Sequence, residues 1–151
     1  MKFKVETLPN YRIAYMRRVG RYGPANIEVM EKLKKWAKEK NLLKSAILLA
    51  IPQDNPETTL PKNCRFDACI VISKDHLMDG LDDSICEGDL PGGKYLIYEV
   101  KHTAQDIQKA YADIFPSLQS NGYKIDHKPI FERYIGDMIN NPYCEICVPV
   151  K

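Results

Sequence analysis

Two strings in this chain are written to one plan. Phe66-Asp67-Ala68-Cys69-Ile70-Val71 and Cys144-Glu145-Ile146-Cys147-Val148-Pro149 set an acid over an acid and a cysteine over a cysteine. An Asn-Pro turn precedes each, Asn55-Pro56 and Asn141-Pro142, with several residues inserted in the first copy. Side chains alternate between the two faces of a strand, so each string puts its acid and the cysteine two residues after it on the same face. A chain that writes such a strand twice is constrained to fold as two copies of one supersecondary unit about a pseudo-twofold axis.

The order of elements repeats with it. Residues 3–8 and 12–19 have strand character around the turn Pro9-Asn10. Residues 20–24 interrupt the chain, and Pro24 suits the start of a helix. Across 26–40 the apolar residues Ile27, Met30, Leu33 and Ala37 recur at helical spacing. Residues 45–51 and 65–73 are strands joined by a polar loop with Asp54-Asn55-Pro56, and 74–93 reads as an irregular connector. The sequence then predicts a strand over 94–101 and a helix from about Ala104 with Thr103 as its N-cap. It predicts a break at Pro116, then a short second helix ending before Gly122. An extended 123–135, a turn at Asn140-Asn141-Pro142 and a last strand over 143–150 complete the chain. The expectation is an α+β fold in one domain over residues 1–151, with repeats at about 12–73 and 94–151. Each repeat is a β-α-β-β unit, and the two share a pseudo-twofold antiparallel sheet with helices on one face and a central ligand groove.

Charge excludes several classes of function. With 22 basic and 20 acidic residues the net charge is +2, which gives no general attraction to nucleic acid or anionic membrane. Arg17, Arg18 and Arg21 form only a local basic run, and no segment resembles a DNA-reading helix-turn-helix, so sequence-specific nucleic-acid binding is not expected. The start Met1-Lys2-Phe3-Lys4-Val5-Glu6 is not a signal peptide, and the longest apolar run, Ala46 to Ile51, is too short to span a bilayer. Five cysteines at irregular spacing make no disulfide framework, and the natural reading is a cytoplasmic protein. Cys144 and Cys147 point to opposite faces of a strand, and His76, His102 and His127 are scattered, so no metal site is expected. Gly92-Gly93-Lys94 lacks the rest of a phosphate loop, and no cofactor is implied.

Several short segments, in order along nearly the whole chain, resemble the GyrI-like family. Asp54-Asn55-Pro56 followed by Cys64-Arg65-Phe66-Asp67 is similar to a "DNP…R.D" stretch of that family, and Gly92-Gly93-Lys94-Tyr95 to its "GG.Y" strand entry. Lys128 to Tyr134 is similar to "P.fE.Y", Glu145 to Val150 to the closing "ei.iPv", and Trp36-Ala37 falls where many members carry a helix tryptophan. The resemblance implies a small-molecule-binding domain like the effector-binding halves of AraC-type and MerR-type regulators. Its nearest likeness is to the stand-alone DNA gyrase inhibitors, which makes gyrase an implied partner. Other stand-alone members resemble hydrolases that open cyclopropane alkylators. Fold alone does not choose among these activities.

The residues that could carry chemistry cluster on strands. In 130–135, Phe131, Arg133 and Ile135 share one face and Ile130, Glu132 and Tyr134 the other. If the first face meets the core, Arg133 must snorkel to an edge. The second then offers a carboxylate and a phenol, suited to an organic cation held by charge and cation–π attraction. Glu132 with Tyr134 could equally position or activate a water against a strained electrophile. Asp67 and Glu145 would lie symmetrically about the groove axis, or else pair with a nearby Lys or Arg; Glu99 and Tyr95 are further groove candidates. Trp36 either covers the groove rim or fills core beside Leu33, and Tyr22 and Tyr111 are possible wall residues. The sequence therefore supports a binder of cationic or amphipathic aromatic xenobiotics, a hydrolase, or a gyrase modulator.

Overall fold

A computed structural model describes residues 2–44, 46–76, 84–135 and 142–151. The elements in chain order are β1 (Lys4–Leu8), β2 (Tyr11–Val19), α1 (Ala25–Glu39), β3 (Ile47–Pro52), a 3-10 turn (Pro61–Asn63), β4 (Arg65–Ile72), β5 (Cys86–Leu90), β6 (Gly93–Lys101), α2 (Ala104–Ser120), β7 (Phe131–Ile135) and β8 (Tyr143–Pro149). All eight strands form one antiparallel sheet in the order β1-β6-β8-β7-β3-β4-β2-β5. The fold is α+β, built from two β-α-β-β units.

That order has a geometric consequence. β1 lies at one edge and β2 beside the other, yet only Pro9 and Asn10 separate them. Three Cα–Cα steps reach at most about 11 Å, whereas six strand spacings in a flat sheet cover about 29 Å. The sheet must curl until its edges approach, and it forms a half-barrel. Leu90-Pro91-Gly92-Gly93 makes the matching connection from β5 to β6. The two Leu-Pro turns touch: the Gly92 N–H donates to Asn10 Oδ1 at 2.6 Å, and a Cβ on Gly92 would lie 2.3 Å from the Leu8 carbonyl oxygen. Only glycine lets the backbones come so close.

Register shows the twofold residue by residue. Tyr11 pairs with Leu90 and Tyr15 with Cys86, as Gly93 pairs with Leu8 and Ile97 with Lys4, so each half's edge strand is supplied by the other half. Asp67 stands between Arg17 and Ile51 as Glu145 stands between Glu99 and Arg133. The same alignment makes Ala50 the counterpart of Glu132, and these two residues pair directly. The pseudo-twofold axis therefore passes through the Ala50–Glu132 pair.

Both helices pack on one face of the sheet. Under α1, Val29, Leu33 and Ala37 bury against Ala14, Met16, Ala68 and Ile70; under α2, Ala110, Ile114 and Leu118 bury against Leu96, Tyr98, Ile146 and Val148. The inner face of the half-barrel carries neither α1 nor α2 and is closed by the curl. Leu8, Ile13, Leu49, Ile51, Leu90, Tyr95, Ile97 and Phe131 fill it, with Cys69 and Cys147 among them.

Several sequence expectations are corrected. Of the apolar residues at helical spacing in α1, Leu33 and Ala37 are buried together with Val29, whereas Ile27 is 65% exposed. Pro116 does not break α2, which runs unbroken from Ala104 to Ser120. Proline removes one hydrogen bond and crowds the preceding turn, but Ile114 and Leu118 anchor the helix on either side of it. Thr103 caps that helix, accepting from the Asp106 N–H at 3.1 Å, and Gly122 follows its end at a φ of 75°. The connector 74–93 contains the edge strand β5, whose Cys-Glu-Gly-Asp composition hides it from propensity. A Cβ on Gly88 would lie 3.1 Å from Tyr15 Cε1, a tight approach to that ring. The extended stretch 123–135 is a strand only at β7, with Ile125 in an isolated bridge to Val150. The turn residues Asn140 and Asn141 lie outside the described residues.

Gly92→Ala should force both crossing turns apart, because the new methyl meets backbone on the Leu8–Pro9 side. A loss of about 2 kcal/mol or more is expected in urea unfolding. A stability equal to wild type would show that the turns are not packed in this way.

Candidate functional site

A groove of about 420 Å³ lies between the two helices over the twofold axis. Leu48 and Ala50 of β3, Glu132 and Tyr134 of β7 and Phe66 of β4 form its floor and flank. Asn26, Ile27, Met30, Glu31 and Lys34 of α1 make one wall, and Ala104 and Ile107 of α2, with His102, make the other. Exposure of Ile27 and Met30 now has a structural reason: they line the groove.

Glu132 sits half-buried on the floor, at the axis, opposite the methyl of Ala50. No described residue donates a hydrogen bond to its carboxylate or forms an ion pair with it. Loss of hydration without compensation raises its pKa to about 7. Its charge spreads outward, since it helps burial raise the pKa of Tyr111, Tyr134 and Cys144. Two residues along the strand, the Tyr134 hydroxyl lies 3.0 Å from His102 Nε2, with the rings 4.9 Å apart and tilted by 62°. Burial, and then the nearby Lys34 ammonium, lower the pKa of His102.

The other sequence candidates lie elsewhere. Asp67, Glu145 and Tyr95 belong to the inner face, because strand parity turns them away from their groove-side neighbours Phe66, Ile146 and Leu96. Asp67 accepts from Arg17 Nε and Nη2 at 2.7 and 2.8 Å and from Gln53 at 3.0 Å. Glu145 accepts from Arg133 Nε at 3.0 Å and lies 3.6 Å from Lys4 Nζ. Arg133 does not snorkel: it is 3% exposed and also reaches Glu6 at 2.8 Å. The twofold relates Asp67 and Glu145, but each acid has a basic partner on the face away from the groove. The Tyr95 hydroxyl donates to the Pro91 carbonyl at 3.0 Å, and its ring packs edge-on to Phe131. Glu99 is exposed beside Glu145 in the sheet. Trp36 packs partly buried against the α1 core and does not line the groove, and Tyr111 packs with α2. The Tyr22 hydroxyl donates to the Arg65 carbonyl at 2.6 Å and ties down the loop before β4. His102, Lys34 and Phe66 were not singled out from the sequence. Helical spacing alone does not separate Met30 from the core residues of α1, because one helix supplies both an apolar core stripe and an apolar groove wall. Among the described residues there is no metal-binding group of His, Cys, Asp or Glu, no disulfide, and no helix long and apolar enough to cross a membrane.

Comparisons with known proteins converge on this architecture. A family model described as the GyrI-like small molecule binding domain matches residues 1–151. The SPbeta prophage-derived protein YosT of Bacillus subtilis (strain 168) is 38% identical over 152 residues, covering all of both chains. A protein of Klebsiella pneumoniae (strain 342) named DNA gyrase inhibitor is 25% identical over 154 residues, covering 100% of this chain and 98% of the relative. Among solved structures, EcmrR in its DNA complex superposes with a TM-score of 0.77 at 15% identity, over 99% of this chain but only 57% of EcmrR. SAV2435 bound to tetraphenylphosphonium superposes with a TM-score of 0.59 at 17% identity, over 100% of this chain and 94% of that one. At such identities these structures establish the fold alone.

The electrostatics of Glu132 predict a pH-dependent stability. Its pKa is higher in the folded chain than in the unfolded one, so ionisation penalises folding. The penalty is absent below about 4.5, grows as pH rises, and is complete above about 7. Glu132→Gln should therefore match wild type at pH 4 and exceed it at pH 8, by on the order of 2–3 kcal/mol. Urea unfolding at the two pH values reads this directly, and a variant less stable at pH 8 would mean that the carboxylate has a partner.

Proposed function

This chain belongs to the GyrI-like family of small-molecule-binding domains, and on that premise we propose that its groove binds amphipathic aromatic cations of xenobiotic type, with Glu132 as counter-ion. One observation carries the reading: an unpaired carboxylate lies at the floor of a groove with mostly apolar walls. In an apolar setting such a group is costly until a positive charge joins it. A ligand cation supplies that charge, while Met30, Ile107, Phe66 and Tyr134 offer apolar and aromatic surface to the rest of the molecule. Tetraphenylphosphonium in SAV2435, a protein of the same fold, supports this ligand class as a probe.

A second reading draws on the same carboxylate. A pKa of about 7 suits Glu132 to act as a general base, with the Tyr134 hydroxyl nearby to hold an oxygen of the substrate, so a water could be directed at a strained electrophile. The name of the Klebsiella relative adds association with DNA gyrase, a role for the outer surface that a supercoiling assay reads without reference to the groove.

Calorimetric titration with tetraphenylphosphonium separates these readings. A permanent cation selects the ionised carboxylate, so affinity should be level above about 8 and fall as pH drops through 7, by a total factor close to that of Glu132→Gln. Glu132→Gln should weaken binding at pH 8 about tenfold or more, and triphenylphosphine oxide, a neutral analogue, should bind both proteins alike. Equal affinity of wild type and variant for the cation would remove Glu132 as the counter-ion. Formation of a water-added product from a cyclopropane alkylator, lost in the variant, would select hydrolysis instead.

A further inference from the structure

The groove is not uniformly acidic. Lys34 lines it together with Glu132, and its ammonium makes only an i,i+3 pair with Glu31 at 3.3 Å, where Glu31 is 64% exposed. Such a surface pair contributes little and readily yields to another anion. His102 lines the same end. Its Nε2 shares a hydrogen bond of 3.0 Å with the Tyr134 hydroxyl, and in the tautomer where that hydroxyl donates, the ring proton is on Nδ1, from which no described residue accepts. Lys34 and His102 are close enough for the ammonium to disfavour protonation of the imidazole. Lys34, and His102 in that tautomer, thus bring hydrogen-bond donors without a strong partner to the groove lining. The carboxylate of Glu132 lies two residues from Tyr134 along β7, about 7 Å.

We infer that Lys34 and His102 form an anion subsite, and that the preferred ligand is an aromatic zwitterion whose cationic group meets Glu132 while a carboxylate or similar anion meets Lys34 and His102. This rests on the groove being the ligand site and narrows the class of molecule it takes. A ligand with both charges neutralises the floor and the rim together. A simple cation leaves the Lys34 ammonium facing it across the groove, and like charges there oppose binding. The anion should stand roughly 7 Å or more from the cationic centre, a span set by the strand repeat between Glu132 and Tyr134.

The test uses rhodamine 19, a zwitterion near neutral pH, and its ethyl ester rhodamine 6G, which is a cation with the same ring system. Fluorescence anisotropy at pH 8 gives both affinities for wild type, Lys34→Gln and Glu132→Gln. The expected result is a crossing. Lys34→Gln weakens the zwitterion roughly five- to tenfold, because a charge-assisted contact is lost. The same variant tightens the ester, because a repelling ammonium is removed. Glu132→Gln weakens both. His102→Gln, which removes the Nδ1 donor, should lower the affinity of the zwitterion more than that of the ester. The inference is overturned if Lys34→Gln shifts both dyes in the same direction or neither. It is also overturned if wild type binds the ester and tetraphenylphosphonium but not the zwitterion. Failure of every one of these cations to bind wild type would instead overturn the groove as a cation site, and the zwitterion inference with it.

Discussion

Everything in this molecule depends on two short backbone crossings. Leu8-Pro9-Asn10-Tyr11 and Leu90-Pro91-Gly92-Gly93 each connect a strand at one edge of an eight-stranded sheet to a strand beside the opposite edge. Chain connectivity leaves no way to satisfy both except by curling the sheet. Curling closes the inner face without any helix, so Leu49, Ile51, Tyr95 and Phe131 are buried by the sheet's own edges. The helices are then needed only on the outer face. There, two helices over a curved surface meet the sheet at separate places. The groove is the gap that results, and its floor is the strand pair β3–β7 at the twofold axis.

The charged residues follow the same division. On the inner face, Asp67, Glu145 and Arg133 are nearly inaccessible, but each meets an opposite charge within 3.0 Å. Such pairs fix register, whatever their net contribution to stability. On the outer face the duplicated pair Ala50 and Glu132 breaks the symmetry. One copy presents a methyl, the other an unpaired carboxylate. Duplication supplied the frame, and divergence at one position gave the groove its charge. The asymmetry extends outward: half of the groove floor is lined by Leu48, Ala50 and Phe66, while the other half carries Tyr134 and, behind it, the phenol of Tyr111 under the influence of Glu132.

Periodicity and local chemistry made the architecture legible. The strand alternation of 65–72 and 143–149, the Thr103 cap and the Asp67–Glu145 correspondence could all be read from residues near one another in sequence. Where reading failed, a tertiary contact had overruled a local preference. Burial on both sides of Pro116 holds α2 together, and pairing with β2 makes a strand of Cys86–Leu90, with Gly88 close to the ring of Tyr15. Met30 and Ile27 carry the helical spacing of a core face but sit to one side of it, a difference of tens of degrees around a helix that apolar character cannot report.

The sequence by itself determined the duplicated unit, the parity that sets Glu132 and Tyr134 on one face of β7, and the absence of any strong overall charge. Only the tertiary structure decided which acids are satisfied. For Asp67 and Glu145 the sequence left groove and ion pair equally open, and strand pairing and curl bring Arg17 and Arg133 to them but no described partner to Glu132. It also decided that Lys34 and His102, distant in sequence, share one end of the groove. The reason is physical: the face a side chain occupies is set by the local repeat of its own strand or helix, whereas its electrostatic partner is set by which elements the whole chain can bring within about 4 Å of it.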